Sequence, residues 1–228
     1  MIEAFRVGAV SRTGTLWDGL DLAFDDGEVS VVTGPPASGK SLLLKILRGD
    51  RRPDAGDVVV GGDSLYRGNP GAARAFRASS GMIPETFPAA GGHAVRDLFR
   101  LSFVAGAGIS SKERKEREEE LLSMVGLRGV QEAGLTSLSV SERARIALAV
   151  ELFRGPKVLF ADMLLHNAGE EWTEMLRGLF RALAREGKTV LLAERAIPER
   201  WKSRGAGEGT PAGPFLLFRL ASKGDVPR

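Results

Sequence analysis

The run Gly34-Pro35-Pro36-Ala37-Ser38-Gly39-Lys40-Ser41 constrains this chain more tightly than any other stretch of its 228 residues. It fits G-x-x-x-x-G-K-[ST], a turn whose glycines let the backbone fold closely and whose successive N–H groups converge on an anion. Such a turn works best when it opens a helix, because the helix N-terminus carries a partial positive charge. The flanking residues supply that setting. Val29 to Thr33 is a short β-branched run that predicts a buried strand. Lys40 to Arg48, with Leu42, Leu43, Leu44, Ile46 and Leu47, predicts a helix buried on most sides and capped by Gly49. In this arrangement Lys40 reaches the β- and γ-phosphates of a nucleoside triphosphate, ATP before others, and the Ser41 hydroxyl holds Mg²⁺.

The rest of the chain alternates strands with helices. Leu20, Leu22 and Phe24 alternate with polar and small residues as in a half-buried strand, and Asp26-Gly27 follows as a turn. A short strand is expected at Asp57 to Val60, a buried one at Lys157 to Ala161 ending at Asp162, and another at Thr189 to Ala193. Residues 91 to 126 read as mainly helical, and the charges from Lys112 to Glu120 read as a solvated helix face. Ser141 to Phe153 reads as a helix with Ser141 as its N-cap. Trp172, Met175, Leu176, Leu179, Phe180 and Leu183 recur at helical spacing as a core stripe. Gly205 to Gly213 reads as a surface loop, Phe215 to Leu220 as a late strand and Lys223-Gly224 as a turn. This alternation predicts an α/β fold with a mostly parallel sheet flanked by helices.

Composition narrows the partners. Lysine and arginine total 32 against 29 acidic residues, an excess too small to support nucleic-acid binding. Cysteine is absent and the histidines are only His93 and His166, so cysteine zinc sites and histidine-rich metal centres are not expected. Neither a signal peptide at Met1 to Arg6 nor an apolar run near 18 residues is visible. The expected location is cytoplasmic, with any membrane role coming through a partner.

Asp162, at the end of an apolar strand, supplies the type of carboxylate that shares Mg²⁺ with the loop serine in proteins of this kind. The order of features then resembles the ATP-binding cassette (ABC) family of transporter ATPases, a P-loop NTPase fold, over nearly the whole chain. Leu44 to Gly49 looks like the segment after the phosphate loop, and Gly81-Met82-Ile83-Pro84 like the approach to the Q-loop. Leu138-Ser139-Val140-Ser141-Glu142 sits where the signature motif belongs, and Gly155 to Asp162 resembles the Walker B approach. Thr189 to Ala193 is similar to the strand before the switch histidine. The small cassettes serving cell division and lipoprotein release look nearest in layout.

The resemblance implies one ABC-type domain. Residues 1–84 and 141–228 would form the core and an antiparallel β subdomain, and residues 85–140 a helical subdomain that meets an integral-membrane permease subunit. It implies a homodimer, or a heterodimer with another cassette, peripheral to the inner membrane. Each ATP would lie between one phosphate loop (Gly34, Pro35, Ala37, Ser38, Gly39, Lys40 and Ser41) and the Ser139 of the opposite chain. Ser41, Asp162 and Glu85 would be the metal ligands.

The resemblance breaks where hydrolysis is carried out. The Q-loop glutamine is Glu85, an anion that would repel a γ-phosphate. The signature glycines are Val140 and Ser141, whose side chains obstruct close backbone approach. The catalytic glutamate falls on Met163, a thioether that accepts no proton. The switch histidine falls on Arg195, a fixed cation. The D-loop aspartate falls on Gly169. No confident catalytic residue remains, and Glu85 and Arg195 are the candidates for residual contact. No aromatic stands near Val10 to stack on adenine; Phe5 and Trp17 are the substitutes, and both read more readily as packing residues. The expectation is binding of Mg·ATP with very slow or absent turnover. A regulatory or interaction protein on the same fold stays open beside it. A small-molecule kinase is disfavoured because the basic stretch Lys112 to Arg117 is interrupted by acids.

Overall fold

The computed structural model describes residues 1–12, 14–88, 93–102, 110–166, 168–202 and 216–220. The expected loop at 205–213, the turn at 223–224, and residues 91–92 and 103–109 of the helical stretch lie outside them. The chain divides into two compact units, residues 1–80 with 157–228 and residues 81–156.

The first unit opens with β1 (Ile2–Ser11) and β2 (Gly14–Phe24), an antiparallel pair. β3 (Val29–Thr33) follows, then α1 (Lys40–Arg48). β4 (Ala55–Val60) and β5 (Asp63–Ser64) join the first two strands in an antiparallel sheet of order β2-β1-β4-β5. α2 (Ala72–Ser79) precedes β6 (Ser80–Ile83), which spans the division between the units.

The chain returns to the first unit through β7 (Val158–Asp162), α6 (Glu170–Arg185), β8 (Thr189–Glu194), α7 (Glu199–Lys202) and β9 (Leu216–Arg219). Within this unit the parallel strands run in the order β7-β8-β3-β9. β3, β7 and β8 are buried at every residue, as expected of parallel strands covered on both faces. The α6 stripe is real: Trp172, Leu176, Phe180 and Leu183 are its buried apolar residues. Phe160 of β7 is fully buried and meets Phe76 of α2 edge to face, with centroids 6.2 Å apart.

The second unit contains the 85–140 stretch and continues through a third helix. α3 (Val95–Ser102) and α4 (Ser111–Met124) come first, then α5 (Val140–Arg154). Phe99 of α3 packs against Phe153 of α5 with centroids 5.4 Å apart. The charge run lies on α4 and is exposed apart from half-buried Arg114 and Glu118, whereas Leu121 and Leu122 are buried.

One cap differs from expectation. The N-cap of α5 is Ser139, not Ser141, and the helix begins at Val140. Glu142 stands three residues after Ser139 and closes a capping box. Ser141 has no such partner at that spacing. The strand expected at Asp57 begins two residues earlier, at Ala55, and α2 was not anticipated.

Phe160→Ala removes a fully buried ring from the centre of the first unit. A loss of about 3–5 kcal/mol is expected in urea unfolding; an unchanged midpoint would contradict the packing described.

Candidate functional site

The loop between β3 and α1 is built by backbone conformation. Ala37 and Gly39 both have positive φ, 62° and 92°, so the chain reverses hand and gathers its N–H groups on one side. Left-handed backbone costs an alanine on the order of 1–3 kcal/mol, a strain typical of functional turns. Gly34 has no room for a side chain: a Cβ there would stand 2.8 Å from the Ser38 hydroxyl and 3.0 Å from the Leu220 carbonyl.

Lys40 is buried and its ammonium lies inside the loop. It donates to the Gly34 and Pro35 carbonyls at 2.8 Å each and to the Ser38 hydroxyl at 3.4 Å. These bonds hold the cation over the turn, close to where the loop N–H groups converge. One residue on, the Ser41 hydroxyl donates to Asp162 Oδ1 at 3.0 Å. Adjacent oxygens of an octahedral Mg²⁺ with 2.0–2.1 Å bonds lie about 2.9 Å apart. The Ser41 and Asp162 oxygens therefore fit two neighbouring positions around that ion. Asp162 is buried at the end of β7, so the oxygen pair stands on rigid elements.

Trp17 belongs to the same neighbourhood. Its indole N–H donates to the Ser38 carbonyl at 2.8 Å, and a Cβ at Gly39 would lie 2.6 Å from the ring. Phe5 is exposed. Of the two aromatics the sequence offers, Trp17 is the one that touches the loop.

Beyond Asp162, Met163 has φ 54° and its N–H donates to the Ala193 carbonyl at 2.8 Å. The turn is held by a residue that sequence reasoning missed. Glu194 ends β8, beside Thr33 of β3, and is 1% exposed. Its Oε1 accepts the Leu165 N–H at 2.7 Å. Burial pushes its carboxyl up to about 8; the Leu165 N–H opposes this, nearby Asp162 adds to it and Lys40 opposes it. The available signal was the length of the apolar run: Glu194 continues the register of a fully buried strand, where a carboxylate is rare unless paired. Arg195, the next residue, is exposed. Gly169 is the N-cap of α6.

The remaining candidates lie in the second unit. Glu85 is exposed just after β6. The Ser139 hydroxyl accepts the Glu142 N–H at 3.2 Å and donates to the Glu142 carboxylate at 2.7 Å. Val140 is 51% exposed and Ser141 half-buried.

Residues 17–163 match the family model described as "ABC transporter". The chain belongs to this family. It is 32% identical over 213 residues to the methionine import ATP-binding protein MetN of Halalkalibacterium halodurans, covering 90% of this chain and 63% of that protein. It is also 32% identical to the ribose import ATP-binding protein RbsA 3 of Rubrobacter xylanophilus, over 80% of this chain and 37% of that one. The chain thus spans less than two thirds of the length of either relative. The fold is shared with the dimeric ATP-binding cassette MJ0796, solved in a post-hydrolysis state with ADP and phosphate. That match has a TM-score of 0.77 at 23% identity and covers 86% of this chain and 89% of the other. ABC ATP-binding domains bind ATP, typically with Mg²⁺, which agrees with the oxygen pair at Ser41 and Asp162.

Glu194 gives the site a pH signature. Its folded pKa lies above the unfolded value of 4.5, so the folded chain keeps this proton longer. Stability therefore falls as pH rises from about 4.5 towards 8 and levels off above. Glu194→Gln cannot ionise and should stabilise the nucleotide-free protein at pH 8 relative to pH 5, by roughly 2–5 kcal/mol against wild type. Urea unfolding at the two pH values tests this; equal pH dependence in both proteins would contradict it.

Proposed function

We propose that this chain is the ATP-binding subunit of an ABC transporter, binding Mg·ATP at Gly34 to Ser41 and coupling that binding to an integral-membrane permease subunit. The observation that carries the reading is the Ser41–Asp162 pair beside the buried Lys40 ammonium, on a fold of this family. Gly34, Pro35, Ala37, Ser38, Gly39 and Lys40 hold the phosphates, and Ser41 and Asp162 hold the metal. Ser139 serves the nucleotide of the opposing cassette, in a homodimer or a heterodimer. No helix among the described residues is long and apolar enough to cross a membrane, which agrees with a subunit that reaches the cytoplasmic side of the inner membrane through its partner. The named relatives are import proteins for methionine and ribose. An importer role for this chain is the corresponding reading.

Hydrolysis by this chain alone is slow or absent. Met163 offers no carboxylate to orient the attacking water, and Arg195 no proton relay. A second reading, a catalytically inactive regulatory protein on the same fold, draws on the same two residues. Measuring ATPase activity with the permease separates them, since a transporter subunit gains turnover there and an inactive regulator does not.

Calorimetry should show Mg·ATP binding to the wild type and a ten- to hundredfold loss in Lys40→Ala, the worth of charge-assisted hydrogen bonds of about 1.5–3 kcal/mol. Phosphate release by the isolated chain should be about 10²- to 10⁴-fold below that of a cassette with a carboxylate after Asp162. Turnover of several per second would refute the hydrolysis claim, and an unaltered affinity in Lys40→Ala would refute the site.

A further inference from the structure

The indole of Trp17 reaches the phosphate loop from a different sheet, and its contact is with backbone. The nitrogen donates to the Ser38 carbonyl at 2.8 Å, across 21 residues of sequence. The ring atoms Cζ2, Cε2 and Nε1 crowd Gly39 so closely that a Cβ there would lie 2.6–2.9 Å from them. The partner strand sets the position: Trp17 pairs with Ala9 between two register shifts of the β1–β2 ladder, where the ribbon bends.

A trans peptide is planar, with its C=O and N–H pointing in opposite directions. A bond that fixes the Ser38 carbonyl toward Trp17 therefore turns the Gly39 N–H away from Trp17. Gly39 is left-handed, at φ 92°, and stands at the N-cap of α1. Its own N–H is one of the groups a helix N-terminus leaves without an internal partner. Lys40, the next residue, sends its ammonium to the Gly34 and Pro35 carbonyls and the Ser38 hydroxyl, which marks the inner side of the loop.

We propose that Trp17 is a positioning residue of the phosphate cradle: its indole N–H locks the Ser38–Gly39 peptide so that the Gly39 N–H is presented to a phosphate oxygen. The ligand feature it serves is the polyphosphate chain and not the base. This rests on the phosphate-binding reading of Gly34 to Ser41 and adds a residue outside that motif. A side chain larger than hydrogen at residue 39 is excluded by the same ring.

Trp17→Phe keeps an aromatic ring but removes the N–H, together with part of the indole's bulk. The test is titration of the folded variant and wild type with Mg·ATP, Mg·GTP and Mg·tripolyphosphate. Positioning of the cradle predicts the same weakening for all three, about three- to tenfold. Weakening of ATP and GTP with unchanged tripolyphosphate would overturn the proposal, because Trp17 would then serve the base. Unchanged affinity for all three would overturn it as well, leaving the ring a packing group. A wild-type protein that binds none of them refutes the phosphate site itself. Wild-type NMR needs no variant: the Trp17 indole proton should be protected from exchange, and the Gly39 amide should shift downfield on adding tripolyphosphate with Mg²⁺. An unmoved Gly39 amide in saturated protein would contradict the assignment.

Discussion

The hydrogen bond from Ser41 to Asp162 ties the first turn of α1 to the end of β7. These elements are 121 residues apart in sequence, and the site exists only because the parallel sheet brings them together. The order β7-β8-β3-β9 places the end of β8 between the strand that leads into the loop and the strand that carries Asp162. Such sheets bind ligands beyond the carboxyl ends of their strands, where the loops are free to differ while the strands stay rigid. Lys40, Ser41, Asp162, Glu194 and Trp17 all depend on that end of the first unit.

The strand-loop-helix at Val29 to Arg48 was legible in full, because its pattern is local: an apolar run, glycines at the strained turn, and an apolar helix. The buried strands expected at Lys157 to Ala161 and Thr189 to Ala193 were legible for the same reason, and run on to Asp162 and Glu194. Less local features were lost. α2 is short and buries none of its residues completely, although its sequence is amphipathic. Ser139 and Ser141 both stand at the start of α5, and Glu142, three residues after Ser139, decides between them. The contact of Trp17 with Ser38 crosses from one sheet to the turn of another and leaves no periodic trace. Glu194 looked like the first charge after a strand, and is the last residue inside it.

The site separates two chemical tasks. Holding a polyphosphate needs backbone N–H groups, one cation and two oxygens for a metal, and these groups stand together in the first unit. Splitting the γ-phosphate needs a group that orients water, and the residue after Asp162 is Met163 in a left-handed turn. Glu194, a buried carboxyl at the end of the neighbouring strand, is engaged with the Leu165 N–H and supports the turn. On the proposed reading, binding, or a partner cassette with its own carboxylate, does the work.

The most direct test of this account is a structure of the protein with Mg²⁺ and a non-hydrolysable ATP analogue. The account predicts that the Lys40 ammonium leaves the Gly34 and Pro35 carbonyls for phosphate oxygens. It also predicts that the metal sits between the Ser41 hydroxyl and Asp162 carboxylate. A nucleotide bound elsewhere, or a bound metal that neither Ser41 nor Asp162 touches, would contradict it.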